Sequence, residues 1–122
     1  MVGLAPLQTS VVAVAGTFAA FAVFLSVTAH IAARNVLGDV PVRNAVAVGP
    51  LPAGVAFVFT ALSWSSAVAV VVAVVADAAA IGFMYERDTR LTAYITLIHA
   101  VVSVILGVIV FGLWTLVRSA PA

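Results

Sequence analysis

SAVAVVVAVVADAAAIGFMYERDTRLTAYITLIHAVVS, residues Ser66–Ser103, is two apolar runs joined by a short charged turn, Glu86-Arg87-Asp88-Thr89-Arg90. Each run suits a helix that crosses a bilayer, which takes about 20 apolar residues. The first carries one carboxylate, Asp77, in a run of alanine and valine, and the second carries one imidazole, His99. Both lie roughly ten residues from the turn, on helices that the turn makes antiparallel neighbours. At about 1.5 Å per residue they share one depth, about 15 Å from the charged end.

Composition extends this reading to the whole chain. Of 122 residues, 66% are hydrophobic and 7% are charged, and the mean hydropathy is +1.33. A soluble domain covers its surface with about 25% charged residues, so here lipid must be the solvent for most of the surface. The net charge of +1 argues against nucleic acid or an acidic partner. There is no cysteine, which excludes disulfides, thiolate metal sites and cysteine-linked lipids. All five basic residues are arginines, so a retinal Schiff base and other lysine chemistry are excluded.

Upstream of the turn lie two further spans. Thr9 or Ser10 can cap the first, which ends at Gly38, a C′ glycine. Met1–Ser10 has no basic region and the apolar run after it is long, so cleavage as a signal peptide is not expected. The second span follows the turn Gly38-Asp39-Val40-Pro41 and is interrupted by Gly49-Pro50-Leu51-Pro52. Started after Pro52 it would be too short to cross. A kinked helix is therefore expected, with carbonyls freed at Val46 and Val48 by the two prolines. The expected fold is an all-α, up-down-up-down bundle in a single transmembrane domain, residues 1–122, with helices at about 10–37, 42–62, 65–86 and 89–117.

Arg34, Arg43, Arg87 and Arg90 flank the first and third turns, and only Arg118 lies at the other end. Basic residues stay cytoplasmic, so both termini are expected outside the cell membrane. Trp64 and Trp114 fall on the opposite face, where an aromatic belt belongs. Small residues at four-residue spacing, Gly16/Ala20, Ala69/Ala73, Ala76/Ala80 and Ala78/Gly82, allow close helix contacts. The third span is richest in them, which suggests the centre of the bundle or an oligomer contact.

Thr92, Thr96, His99 and Ser103 recur on one face of the fourth span, with Tyr94 opposite. This stripe facing Asp77 reads first as hydrogen-bonded glue between helices, which contributes modestly, about 0.6 kcal/mol on average. A proton or cation relay is the functional alternative. The Gly49-Pro50-Pro52 break reads first as a bend, and second as a broken-helix ion site. Haem held between His30 and His99 would need both at one depth. His30 lies one turn from Arg34, and the two depths differ by roughly 7 Å, so no cofactor and no metal are expected. The charged turn reads as a solvated loop with local salt bridges. Hydrolytic motifs and paired carboxylates within one span are absent, so an enzyme is not expected. A subunit or scaffold of a membrane complex, or a homo-oligomer, is the leading expectation. A small proton or cation transporter is the second.

Small multidrug exporters and fluoride channels share only the length: the first span lacks their acid, and the third lacks the channels' polar break. Leu37-Gly38-Asp39-Val40-Pro41-Val42, Val48-Gly49-Pro50-Leu51-Pro52, Asp77-Ala78 followed by Tyr85, and His99 together look like a group of uncharacterised small multi-pass membrane proteins of halophilic archaea. The resemblance covers nearly the whole chain. It implies a membrane bundle with Asp77, His99 and the proline break as group features, and it brings no activity with it.

Overall fold

The computed structural model describes residues 4–121, with side chains from Ser10 to Pro121. Five helical segments follow one another: α1 (Leu4–Leu37), α2 (Val42–Val48), α3 (Pro50–Ala61), α4 (Ser66–Tyr85) and α5 (Thr89–Ser119). α2 and α3 are separated only by Gly49, whose backbone stays right-handed helical at φ −56° and ψ −42°. They form one interrupted rod, so the bundle has four rods. Each is long and apolar enough to cross a bilayer. The described residues contain no strand.

Local chemistry sets the ends. Gly38 closes α1 at φ +83°, and its N–H reaches the Arg34 carbonyl at 3.0 Å. This is the left-handed C′ position that glycine takes without strain. The Ser65 side chain caps α4 by accepting from Val68 N. Asp88 caps α5, its carboxylate accepting from Leu91 N at 2.9 Å. That role corrects one expectation: among the described residues the charged turn holds no salt bridge, because Asp88 is turned to the helix end. Glu86 ends α4 in the left-handed region at φ 51°. A second correction concerns α1, which is already helical from Leu4, so it does not start at Thr9 or Ser10. Pro6 does not stop it, since the first turn of a helix needs no N–H partners.

The rods form a ring. α1 packs on α2, α3 and α5, and α4 packs on the same three, while α1 and α4 do not touch. The expectation of a central third span is therefore wrong: in a ring of four every rod has two neighbours. Of the small pairs, Gly16 and Ala20 are exposed. Gly82 does the close packing, where an added Cβ would lie 3.3 Å from the Thr92 methyl.

Packing is uneven along the bundle axis. At the arginine end Ala29, Ala32, Ala33, Ala45, Val48, Ile81, Tyr85 and Ile95 form one buried core. A smaller cluster, Ala22, Leu25 and Ala53, lies above it with Phe18 and Phe24. Beyond that, α1 from Ser10 to Thr17 and α5 from Val108 onward are exposed. The rods also differ in length. α5 has 31 residues, about 46 Å, whereas α4 has 20, about 30 Å. With 34 residues, α1 reaches about 51 Å. Both overhang the α3–α4 hairpin at the same end.

Candidate functional site

Asp77 and His99 meet. His99 Nδ1 lies 2.5 Å from Asp77 Oδ2, and both side chains are buried. The opposite nitrogen, Nε2, lies 3.0 Å from the Leu25 carbonyl and 2.9 Å from Thr28 Oγ1, both on α1. Ser103 Oγ donates to the same Thr28 oxygen at 2.9 Å. One imidazole therefore bridges α4 and α1, two rods whose backbones never approach.

The acceptors fix where the protons sit. A carbonyl can only accept, so Nε2 carries a hydrogen directed at Leu25 O. Thr28 gives its own proton to Leu25 O at 3.1 Å and accepts from Nε2 and from Ser103. One proton remains, shared by Nδ1 and Oδ2, and the pair is neutral as a whole whichever atom holds it. Neutrality is what an apolar interior demands, because an isolated charge there is costly. A single loose end is left: Asp77 Oδ1 is buried and has no partner.

The rest of the predicted stripe is placed differently. Thr96 Oγ1 donates to the Thr92 carbonyl at 2.8 Å, and Thr92 Oγ1 to the Arg87 carbonyl at 3.4 Å. Both hydroxyls are turned back on their own chain, so they form no chain of hydrogen bonds from His99 to the charged turn. Tyr94 is exposed on the far face.

Along the helix break, Gly49 and Pro52 turn inward and Pro50 outward. Gly49 is buried against α1, where an added Cβ would lie 2.6 Å from both the Ala22 carbonyl and Ser26 N. Pro50 is exposed, and Pro52 is buried. Arg34, Arg43, Arg87 and Arg90 are all exposed beside the two turns at the tightly packed end. His30 is half-buried, with Nδ1 lacking a partner. His99 spends both ring nitrogens inside the bundle, on Asp77 and on Leu25 and Thr28.

Thr28 and the Leu25 carbonyl are the partners that sequence reading missed. Thr28 lies nine residues before Leu37, and Asp77 nine before Glu86, so equal depth was the available signal.

Above the polar cluster the bundle is not filled. A cleft of about 290 Å³ lies among all four rods, with Leu25, Pro52, Ala73 and Ala100 in its walls and Asp77, Thr96, His99 and Ser103 at its polar end. Val70 and Val104, also lining it, are exposed at 63% and 65%, which puts the mouth on the α4–α5 seam. The small side chains of Ala69, Ala73 and Ala100 leave the space open.

No curated protein and no solved structure matches the chain. The model of one family does, over residues 8–121. By that match across nearly its whole length, the chain belongs to the family of unknown function DUF7473.

Proposed function

We propose that the chain is an integral protein of the cell membrane that works by contact: a non-enzymatic subunit or scaffold of a membrane complex, or a homo-oligomer. Both termini lie outside, and the arginine-rich turns face the cytoplasm, by the positive-inside rule. The alanine- and valine-rich, lysine-free composition suits an archaeal source.

The overhang of α1 and α5 carries this reading. Two rods already match the roughly 30 Å of hydrocarbon, and the other two exceed it by about 16 and 21 Å. The excess is apolar, with Val12 71%, Phe111 72% and Leu116 69% exposed. Its hydroxyls are satisfied within their own helices, Thr17 on the Ala13 carbonyl, Thr115 on the Phe111 carbonyl and Ser119 on the Thr115 carbonyl. Such bonds leave a hydroxyl needing no further partner in apolar surroundings. A surface of this kind belongs against another membrane helix.

Since the chain has no cysteine, single-cysteine variants test the reading directly. Bifunctional maleimide on native membranes is expected to give one discrete adduct from Phe111→Cys or Leu116→Cys, and none from Arg87→Cys. A ladder of adducts independent of position would speak for random collision and against the reading.

The unpartnered Asp77 Oδ1 favours a second reading, a small proton or cation transporter using Asp77 and His99. Liposomes holding the purified protein separate the two. Ion or proton flux that vanishes in Asp77→Asn supports transport, and flux equal to empty liposomes supports the contact reading.

A further inference from the structure

We propose that the Asp77–His99 pair is a proton-keyed latch. With its shared proton in place it ties α1 to α4 across the bundle, and loss of that proton lets the open half splay. The inference concerns motion within one copy of the chain, so it goes beyond both readings of function.

The position of the tie makes it a latch. α1 and α4 lie diagonally across the ring and do not touch. The His99 ring joins them, through Asp77 on one side and through Leu25 and Thr28 on the other. It also sits at a boundary. One turn toward the arginine end, Ile95 is fully buried in the larger core. One turn the other way, Ser103 lines the cleft together with Ala73 and Val104. Freed rods can therefore part above the ring and not below it.

Counting hydrogens gives the sign. Two contacts carry the tie: Asp77 Oδ2 with Nδ1 at 2.5 Å, and Nε2 with the Leu25 carbonyl at 3.0 Å. Both atoms of each contact bear lone pairs, so each contact needs one hydrogen. The neutral pair supplies both. With a single hydrogen left, one contact sets acceptor against acceptor, whichever tautomer the ring adopts, and a buried charge is added. Thr28 can turn its hydroxyl to Nε2, but it must then abandon the Leu25 carbonyl, which still faces the nitrogen's lone pair. An additional hydrogen breaks neither contact. The latch therefore opens on the alkaline side. Among the described residues, the other titratable side chains of the rods are His30 and Arg34 on α1, Arg43 on α2, Tyr85 on α4, and Arg90, Tyr94 and Arg118 on α5. None of them bonds to the pair, and α3 has none.

Spin labels on paired cysteines test this in the full chain, which has no native cysteine. Val23→Cys with Val71→Cys, both 62% exposed, spans α1 and α4 in the open half. Ile31→Cys with Phe83→Cys, 40% and 82% exposed, spans them in the packed half. In phosphatidylcholine nanodiscs, double electron–electron resonance reads both distances at equilibrium between about pH 6 and about pH 10. At alkaline pH the open-half distance is expected to gain a second peak about 3 Å longer, room for one bridging water. The packed-half distance is expected to stay constant. Asp77→Asn, whose amide hydrogen is not lost, is expected to hold the short distance throughout. Asp77→Leu, which cannot bond to Nδ1, is expected to show the long one throughout. Tyr85→Phe removes another group that gives up a proton in alkali, and is expected to change nothing. An open-half distance independent of pH in the parent overturns the latch. So does an alkaline change that persists in Asp77→Asn or vanishes in Tyr85→Phe. Lengthening of both halves together would mean general unfolding, and it too overturns the latch.

Discussion

At the scale of the residue, His99 is the joint of the molecule. Its ring satisfies Asp77 on one rod and Leu25 and Thr28 on another, and the neighbouring Ser103 closes the same network. Because Nε2 donates, a neutral His99 accepts at Nδ1. An asparagine amide can donate to that nitrogen from the position Asp77 occupies, whereas leucine of similar shape cannot. Asp77→Asn is therefore expected to cost less than about 1 kcal/mol, and Asp77→Leu to cost about 2. Thermal unfolding in detergent measures both. Equal losses in the two variants would mean that the proton count at the pair is wrong. Half of this joint was legible beforehand, since a lone acid and a lone imidazole at one depth on adjacent spans have few other partners in hydrocarbon. The α1 half was not, because hydroxyls are common in membrane helices and most bond to their own backbone, as Thr96 does. A backbone carbonyl as acceptor leaves no mark in sequence at all.

The helical element most sharply shaped by one residue is the interrupted rod of α2 and α3. Gly49 sits where this rod crosses α1, and a side chain there would run into Ser26 and the Ala22 carbonyl. Two of the obstructing atoms are backbone, which cannot rotate away. Gly49→Ala is therefore expected to lower stability by about 1–3 kcal/mol, the usual cost of overfilling a packed contact. Adding Ser26→Ala is expected to restore only part of it, because the backbone atoms remain. Gly54, five residues along the same rod, has nothing within 4 Å of an added Cβ. Gly54→Ala is expected to be neutral or to stabilise by up to about 1 kcal/mol through helix propensity. Chemical unfolding of the three variants checks the contrast, and a full rescue by Ser26→Ala would reduce the contact to a side-chain clash. The break at Gly49-Pro50-Leu51-Pro52 was readable, because proline and glycine interrupt a helix for local reasons. Its purpose was not, because what Gly49 meets depends on the crossing of two rods that are far apart in sequence. The start of α1 was misread for a related reason: a residue able to cap need not do so when the turn before it can also be helical.

Across the whole molecule, one end is packed and the other is open. The arginine-bearing turns sit over the larger core, while α1 and α5 run on past the opposite end with their apolar faces uncovered. Hydropathy announced the four rods, since a long apolar run with few charges and short polar breaks reads as a spanning helix. The cleft and the overhang were hidden, because they arise from where rods diverge and how their lengths compare in space. The proposed topology ties this asymmetry to the two sides of the membrane: open end outward, packed end inward. Four exposed arginines at the packed end and Arg118 alone at the other argue for that orientation. Arg118 is further drawn over the Trp114 ring, 5.9 Å from its centre, an arrangement suited to the headgroup layer, where tryptophan rings and arginine heads both gather. With no native cysteine to interfere, Ser119→Cys and Arg87→Cys report the two ends separately. An impermeant maleimide added to intact cells is expected to label Ser119→Cys at once, and Arg87→Cys only after the membrane is opened. The reverse pattern would place the packed end outside, and the arginine count would then have to yield to some stronger determinant of insertion. Equal labelling of both in intact cells would mean two orientations coexist, and an interface built on the overhang would then have to serve copies pointing both ways.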